Sequence, residues 1–252
     1  MSHHKIELRS VSYTYPDGSR ALSDISFTVS HGQSVGILGA NGAGKSTLLL
    51  LLMGVLRPCS GEILIGDVKM TPATLPDIRK RLGLVFQNPD DQLFMNSIYE
   101  DVAFGPRNAK LSGQEVDRRV TEALQTVGIP HLKDRPPYRC SGGEKRAAAI
   151  AGILAMQPDV LILDEPTSDL DPKARRRTME LLKSFTHTKL IAGHDIDMVY
   201  ELCERTIILQ NGRIAVDGCT RETVTNASLM ESSGLEPPMR LQGCPVCGKA
   251  GG

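Results

Sequence analysis

The hydrophobic and polar positions of the first forty residues alternate in part, as they do in half-buried strands. The stretches KIELRSVSYTY and SDISFTVSHGQ have this character and are separated by the turn residues PDGS. The next apolar positions are continuous, in SVGIL and then in the run TLLLLLMGVL (Thr47 to Leu56), with a glycine-rich loop between them. This pattern predicts a short buried strand, a loop and a buried helix. SGEILIGD and RLGLVFQ predict two more short strands.

Residues 88–158 have a different pattern, polar and broken by Pro and Gly, with helical stretches. In one of them four apolar residues share a helix face: Val116, Val120, Leu124 and Val127. The apolar stretch DVLILDEP then predicts a buried parallel strand. A helix, the strand KLIAGHD, a short helix and two final strands are expected after it. The sequence therefore predicts an α/β core interrupted by a mostly helical insert, and a poorly ordered tail from Asn226.

Composition restricts the class of protein. The 252 residues are 40% hydrophobic, which is enough for a substantial core. Lys plus Arg equals Asp plus Glu at 29 each, so bulk charge gives no support to a nucleic-acid partner. The start has no apolar signal segment, and the longest apolar run is about half of the roughly 20 residues that a membrane-spanning helix needs. We expect a soluble chain. Four of the six cysteines have no framework spacing, which suits a reducing cytoplasm: Cys59, Cys140, Cys203 and Cys219.

The loop GANGAGKST matches G-x-x-x-x-G-K-[ST] and lies between an apolar strand and a buried helix. Its glycines would let backbone N–H groups converge on phosphate oxygens at the start of the helix. Lys45 would reach the β- and γ-phosphates, and the Ser46 hydroxyl would bind Mg²⁺. The predicted phosphate-binding residues are Gly39, Ala40, Asn41, Gly42, Ala43, Gly44, Lys45, Ser46 and Thr47.

Two adjacent carboxylates end the strand DVLILDEP. Asp164 fits an acid that holds Mg²⁺ directly or through water, and Glu165 fits a group that orients or deprotonates the attacking water. His194, at the end of KLIAGHD, is a candidate for a polar contact to the γ-phosphate.

A second glycine loop, CSGGE, begins an alanine-rich helical segment at Cys140. It resembles the signature motif of the ATP-binding subunits of ABC transporters, usually LSGGQ, with Cys and Glu in place of Leu and Gln. The resemblance covers residues 5–225 and implies an ATP hydrolase with a P-loop NTPase (RecA-like) core, an antiparallel β subdomain and a helical insert at about 88–156. Ser141 is the expected N-cap of the helix, whose buried face is expected at Ala147, Ile150, Ala151 and Leu154.

The resemblance implies roles for single residues. Tyr15 resembles the aromatic residue that stacks on adenine, with Tyr13 as the alternative. Gln87 resembles the Q-loop glutamine, a ligand of Mg²⁺ and water. His194 resembles the switch histidine, although Gly193 stands where Thr or Ser is usual. Asp171 would face a second ATPase subunit. The nucleotide bound to that subunit would be contacted by the signature residues of this chain, Ser141, Gly142, Gly143 and Glu144.

VFQNPDDQLFMNSIYEDVAFGPRN resembles the energy-coupling factor importers, most closely the cobalt and nickel uptake ATPases of the CbiO and NikO type. This implies integral membrane partners, a peripheral position on the cytoplasmic face of the membrane, and pairing with a copy or a paralogue. A groove between Asp90 and Arg107 would receive helices of the membrane subunit. Its expected exposed anchors are Leu93, Phe94, Met95 and Phe104.

Several alternatives stay open from the sequence. The cargo is cobalt, nickel or another substrate such as a vitamin. A non-transport ABC ATPase and a soluble P-loop kinase are the rival classes. Cys244 and Cys247 form a single C-x-x-C, which is half of a tetrahedral zinc site, and His3 and His4 are possible further ligands. A tail pair without any ligand is the other interpretation.

Overall fold

A computed structural model describes residues 5–239. Within that range the strands are β1 (Ile6–Thr14), β2 (Arg20–Val29), β3 (Ser34–Leu38), β4 (Ser60–Ile65), β5 (Val68–Lys69), β6 (Leu82–Val85), β7 (Val160–Asp164), β8 (Thr188–Gly193), β9 (Arg205–Gln210) and β10 (Arg213–Cys219). The α-helices are α1 (Lys45–Leu52), α2 (Leu75–Arg79), α3 (Ile98–Asn108), α4 (Gly113–Thr126), α5 (Gly142–Leu154), α6 (Pro172–Ser184), α7 (Ile196–Leu202), α8 (Thr220–Thr225) and α9 (Ala227–Ser232). No helix in the described part of the chain is long and apolar enough to cross a membrane.

The described chain forms two compact units, one from residues 5–78 and 187–239 and one from 79–186. In the first unit β2, β1, β4 and β5 form an antiparallel sheet, in that order. β3 lies between β8 and β9 and pairs with both in parallel, and β10 is antiparallel to β9. All residues of β3 and β8 are buried, as expected for parallel strands covered on both faces. Helix α7 packs directly on β3, since a Cβ on Gly36 would lie 2.4 Å from Val199 Cγ1.

The predicted buried helix after the glycine loop is confirmed, but it is shorter than its apolar run. α1 ends at Leu52, and Gly54 follows in the left-handed conformation with φ 62°. Glycine adopts this conformation without a Cβ penalty, which is why it stops helices. Val55, beyond the stop, is 58% exposed.

In the second unit β6 and β7 pair in parallel and α3, α4, α5 and α6 accompany them. The predicted face of α4 is confirmed, because Val116, Val120 and Leu124 are buried and Val127 is buried just beyond the helix end. The predicted face of α5 is wrong in part: Ala147 and Leu154 are only half-buried. The predicted Ile150 and Ala151 are buried, and α5 also buries Ala148 and Ala149 because it packs on more than one side.

The tail predicted to be poorly ordered from Asn226 begins with a helix. The Asn226 side chain caps α9 by accepting from Leu229 N at 3.1 Å, and Met230 is fully buried. The buried Met230 side chain thus packs the short helix α9 against the rest of the first unit. Cys244, Cys247, His3 and His4 lie outside the described residues.

Candidate active site

The glycine-rich loop leaves β3 and leads into α1 through Gly44, which caps the helix with φ 105°. A Cβ at Gly44 would lie 2.6 Å from Leu22 Cδ2 and 2.8 Å from Ala21 O, so only glycine fits. No side chain caps this end of α1, and its first turn contains no acidic residue. The backbone N–H groups and the positive end of the helix dipole are therefore suited to an anion.

The ammonium group of Lys45 is held inside the same loop. Lys45 is 6% exposed, and its Nζ donates to Gly39 O at 2.7 Å and to Ala40 O at 3.2 Å. Ser46 is exposed on the first turn of α1, and Thr47 is buried beside it. The loop thus presents a cation, a hydroxyl and helical N–H groups together.

Only one of the two candidate aromatic residues has an accessible ring. Tyr13 is 8% exposed, whereas Tyr15 is half-buried, and the two rings meet edge to face with centroids 5.0 Å apart. The Tyr15 hydroxyl shares a 2.9 Å hydrogen bond with Thr47 Oγ1. This bond fixes Tyr15 next to the helix that carries the phosphate loop, and it favours Tyr15 over Tyr13.

His194 lies at the same sheet edge as the glycine loop. β3 and β8 are parallel, and Leu38 pairs with Gly193 at their last register position. The residues that follow, Gly39 and His194, therefore leave neighbouring strands side by side, and His194 is exposed. Carboxyl ends of parallel strands are where α/β folds bind ligands.

The second unit repeats this arrangement with the acidic residues. β6 and β7 are parallel, with Val85 opposite Leu163, so Gln87 comes shortly after the end of one strand, while Asp164 ends the neighbouring strand and Glu165 follows it. Gln87 Nε2 donates to Glu165 Oε2 at 3.4 Å. Glu165 is 9% exposed and has φ 45°, an uncommon conformation for a side chain of this size.

Two contacts in this group were not predicted from the sequence, one made by Ser168 and one by Arg146. The Ser168 hydroxyl donates to Glu165 Oε2 at 2.7 Å, a shorter bond than the one from Gln87 to the same oxygen. Arg146 is buried in α5, and burial lowers the pKa of its guanidinium while Asp169, Asp164 and Glu165 oppose that shift. Ser168 stands three residues after Glu165, a spacing that could have signalled the contact. The partners of Arg146 are distant in sequence and carry no such signal.

Ser141 is the N-cap of α5, as predicted. Its hydroxyl accepts from Glu144 N at 3.3 Å, and the Glu144 carboxylate accepts from Ser141 N at 2.7 Å, which completes a capping box. This backbone hydrogen bond lowers the pKa of Glu144. The Glu that replaces the usual Gln therefore has a structural role within its own chain.

The residues around this capping box are also ordered locally. Gly142 is exposed, and a Cβ on Gly143 would lie 2.8 Å from Ala174 Cβ, so α6 approaches closely there. Asp171 caps α6 by accepting from Lys173 N at 2.9 Å and Ala174 N at 3.0 Å. Cys140 is half-buried, and burial raises the pKa of its thiol.

The predicted apolar anchors are only partly exposed. Phe94 and Phe104 are 63% and 40% exposed and meet edge to face at 5.1 Å. Met95 is half-buried. The prediction is wrong for Leu93, which is 8% exposed, because the turn at Pro89–Asp91 draws the chain inward and Leu93 N donates to Pro89 O.

A lysine-containing glycine loop between a parallel strand and a helix, with a second parallel pair that ends in carboxylates, defines a P-loop nucleotide-binding protein. The family model described as ABC transporter matches residues 22–168. The chain belongs to this family and is an ABC-type ATPase.

Three known proteins illustrate the relationship. The chain is 57% identical to a putative ABC transporter ATP-binding protein of Geobacter sulfurreducens, over 99% of this chain and 100% of that protein. It is 43% identical to the energy-coupling factor transporter ATP-binding protein EcfA of Methanocaldococcus jannaschii, over 92% of this chain and 85% of that protein. The solved structure of CbiO1 from Clostridium perfringens, described as part of the ABC transporter complex CbiONQ, matches with a TM-score of 0.81 and 40% identity, over 90% of this chain and 93% of that one.

Proposed function

We propose that the chain is the ATP-hydrolysing subunit of an energy-coupling factor-type importer whose cargo is cobalt or nickel ions. The observation that carries the hydrolytic part is the Glu165 carboxylate, held by Ser168 and Gln87 at the end of β7. The likeness to EcfA and to CbiO1 of the CbiONQ complex supports the transport part.

In this proposal the first unit binds the nucleotide. The adenine stacks on Tyr15, and the phosphates bind the N–H groups of the glycine loop. Lys45 exchanges its bonds to Gly39 O and Ala40 O for phosphate oxygens, where its charge offsets the negative charge of the phosphates. His194, at the neighbouring strand end, contacts the γ-phosphate.

The second unit supplies the base. Water attacks the γ-phosphorus, the bond from that phosphorus to the bridging oxygen breaks, and ADP and inorganic phosphate form. Glu165 accepts the proton that the attacking water loses, and Gln87 orients that water. Because Glu165 is nearly buried and held by Ser168, its carboxylate has little freedom to change orientation.

The donor set also suits Mg²⁺, which binds hydroxyl, amide and carboxylate oxygens. Ser46, Gln87 and Asp164 would hold the ion, with Asp164 directly or through water. When bound, Mg²⁺ neutralises charge on the phosphate oxygens. Ser46 is exposed on α1 and Gln87 is exposed after β6, as ligand roles require.

A second subunit completes each site in this proposal. Ser141, Gly142 and Gly143 contact the γ-phosphate bound to the partner, a copy of this chain or a paralogue. Asp171 lies at the same interface. The capping box supports this role, because it leaves Gly142 exposed at the start of an ordered helix. Closure of the dimer would be passed to the membrane subunits through the Gln87 loop and through Phe94 and Phe104.

The hydrolytic role is tested with Glu165→Gln, which keeps the side-chain shape and removes the base. We expect ATP binding to persist, phosphate release to fall by about 100-fold or more, and an ATP-dependent dimer to accumulate in size-exclusion chromatography. Glu180→Gln, at an exposed position of α6, is the matched control. Phosphate release by Glu165→Gln at the wild-type rate would refute the role of Glu165.

The role of the signature loop is tested with Ser141→Arg. This variant should still bind nucleotide as a monomer but fail to hydrolyse it, since the added side chain would block the partner's phosphate. Loss of nucleotide binding by the monomer would show that the loop acts within its own chain.

The cargo is tested by purifying the chain with the integral membrane subunits that it binds in its source organism, reconstituting that complex in vesicles and measuring uptake of radioactive cobalt and nickel. We expect uptake that Lys45→Ala abolishes. Uptake of a vitamin, without uptake of either metal, would correct the substrate and leave the ATPase role in place.

A further inference from the structure

Arg146 is the largest side chain in the described residues that is almost completely buried, with 2% exposure. It lies in the second turn of α5, the helix that begins with the signature loop. Its Nη1 donates to Phe86 O at 2.7 Å and its Nη2 donates to Gln87 O at 2.5 Å. The third nitrogen of the guanidinium, Nε, has no hydrogen-bond partner among residues 5–239. The guanidinium therefore binds the carbonyls of two successive peptide units, one on each side of the Gln87 Cα.

Two further side chains join the same loop to the same helix. Gln92 accepts from Phe86 N at 3.3 Å and donates to Ala149 O at 2.8 Å. Lys145 pairs with Asp90 at 2.6 Å. Residues 86–92 are thus fixed to α5 at the loop's beginning, middle and end.

The packing of α5 keeps these contacts in register. A Cβ on Gly83 in β6 would lie 2.2 Å from Ile153 Cγ2, so helix and strand touch without a spacer. At the other end of the loop, the small side chain of Ala149 leaves its carbonyl within reach of Gln92. The distance between the α5 axis and the end of β6 is therefore set by direct contact.

The chemistry of the site requires arginine. The planar guanidinium offers diverging N–H groups that can bind two successive carbonyls at once, whereas a lysine ammonium is a single point. Burial of this cation carries a desolvation cost, which the nearby carboxylates Asp169, Asp164 and Glu165 partly offset.

We infer that Arg146 is a positioning residue that fixes the Gln87 main chain to the helix of the signature loop, so that Gln87 and the signature loop move as one body. The inference rests on the proposed role of Gln87 in hydrolysis. Arg146 itself touches neither the reacting atoms nor the Gln87 amide group; it acts through the backbone that carries that group.

The test uses Arg146→Lys in the full-length protein. This substitution keeps the positive charge but not the planar, diverging N–H groups of the guanidinium. Hydrogen–deuterium exchange of residues 86–92 should become about tenfold faster or more, because the loop is then held by fewer contacts. Arg118→Lys is the matched control, since Arg118 is an exposed arginine of the same unit paired with Glu115 and Glu122. Arg146→Gln, which buries no charge, serves as a second variant if Arg146→Lys does not fold.

A kinetic cycle separates positioning from general destabilisation. Arg146→Lys should lower kcat by about tenfold and change the nucleotide Kd by less than about twofold. In a Gln87→Ala background the same substitution should have no further effect on kcat, because Arg146 acts on the reaction only through the Gln87 side chain, which this background lacks.

Two results would overturn the inference: unchanged exchange at residues 86–92, or effects of the two substitutions that multiply in the double variant. Failure of the proposed function looks different. If the wild-type protein shows no ATP hydrolysis, the role of the site falls, while the exchange experiment still decides whether Arg146 holds the loop.

Discussion

Ser168→Ala tests how tightly Glu165, the proposed general base, must be held. The substitution removes one O–H donor, 2.7 Å from Glu165 Oε2, and leaves the backbone and the Gln87 contact in place. Because the Gln87 bond is long at 3.4 Å, Ser168 provides the stronger of these two restraints. A hydrogen bond to an ionised group contributes about 1.5–3 kcal/mol. If all of this is lost in the transition state, kcat falls by about 10- to 150-fold.

The assay is steady-state phosphate release at saturating ATP, together with the Kd of a fluorescent ATP analogue. We expect kcat to fall and Kd to stay within about twofold of the wild-type value, since Ser168 holds the base and does not hold the nucleotide. Ser184→Ala is the matched control, because Ser184 donates only to Leu181 O at the exposed end of α6. A kcat for folded Ser168→Ala within about twofold of wild type would show that this bond does not position Glu165 for the reaction.

Three further predictions concern packing, thiol reactivity and pH. Gly83→Ala places a Cβ 2.2 Å from Ile153 Cγ2 and should lower the free energy of unfolding in urea by about 1–3 kcal/mol. Adding Ile153→Ala should recover part of that loss, and strictly additive effects would contradict the contact. Burial raises the pKa of the Cys203 thiol to about 12, so Cys203 should react with iodoacetamide at about pH 8 only in unfolded protein. The exposed Cys59 should react in the folded state as well, and peptide mapping after the treatment distinguishes the two thiols. Equal rates for the two thiols would refute this. Burial also raises the pKa of Asp101, so the folded state binds the proton of this carboxyl group more tightly than the unfolded state does. Proton binding therefore stabilises the fold at low pH, and this stabilisation is lost as pH rises through the pKa of the folded state. Asp101→Asn keeps the oxygen that accepts two backbone N–H bonds but removes the titrating group. The stability of this variant relative to wild type should increase between about pH 4 and about pH 7. A constant difference in stability would show that Asp101 does not titrate in this range.

Local patterns predicted the parts of the fold that are themselves local. The strand, glycine loop and helix around Lys45 follow one another directly, and the N-cap at Ser141 depends on a residue three positions away. The ends of the parallel strands β3 and β7 were also predicted, because the apolar runs stop at Leu38 and Leu163, within one residue of each strand end.

Contacts between segments that are distant in sequence could not be predicted from local patterns. Arg146 binds carbonyls about 60 positions earlier, and nothing in its own segment distinguishes it from a solvated arginine. Leu93 resembled an exposed anchor by its neighbours, yet a tight turn buries it. Met230 holds a helix in a stretch whose composition suggested disorder, since a single buried side chain changes the energy of a segment without changing its average polarity.

The hydrogen bonds of Lys45 have a consequence for selectivity among nucleotides. The ammonium already has two carbonyl oxygens of its own loop as acceptors, at 2.7 and 3.2 Å. A ligand must therefore offer better acceptors than the chain itself before this lysine turns toward it. Charged terminal phosphates meet that condition, since a bond between two ions is stronger than a bond from an ion to a neutral carbonyl. A nucleoside, which has no charged phosphate, gains nothing from displacing the carbonyls, so the loop's own backbone competes with it for the Lys45 ammonium.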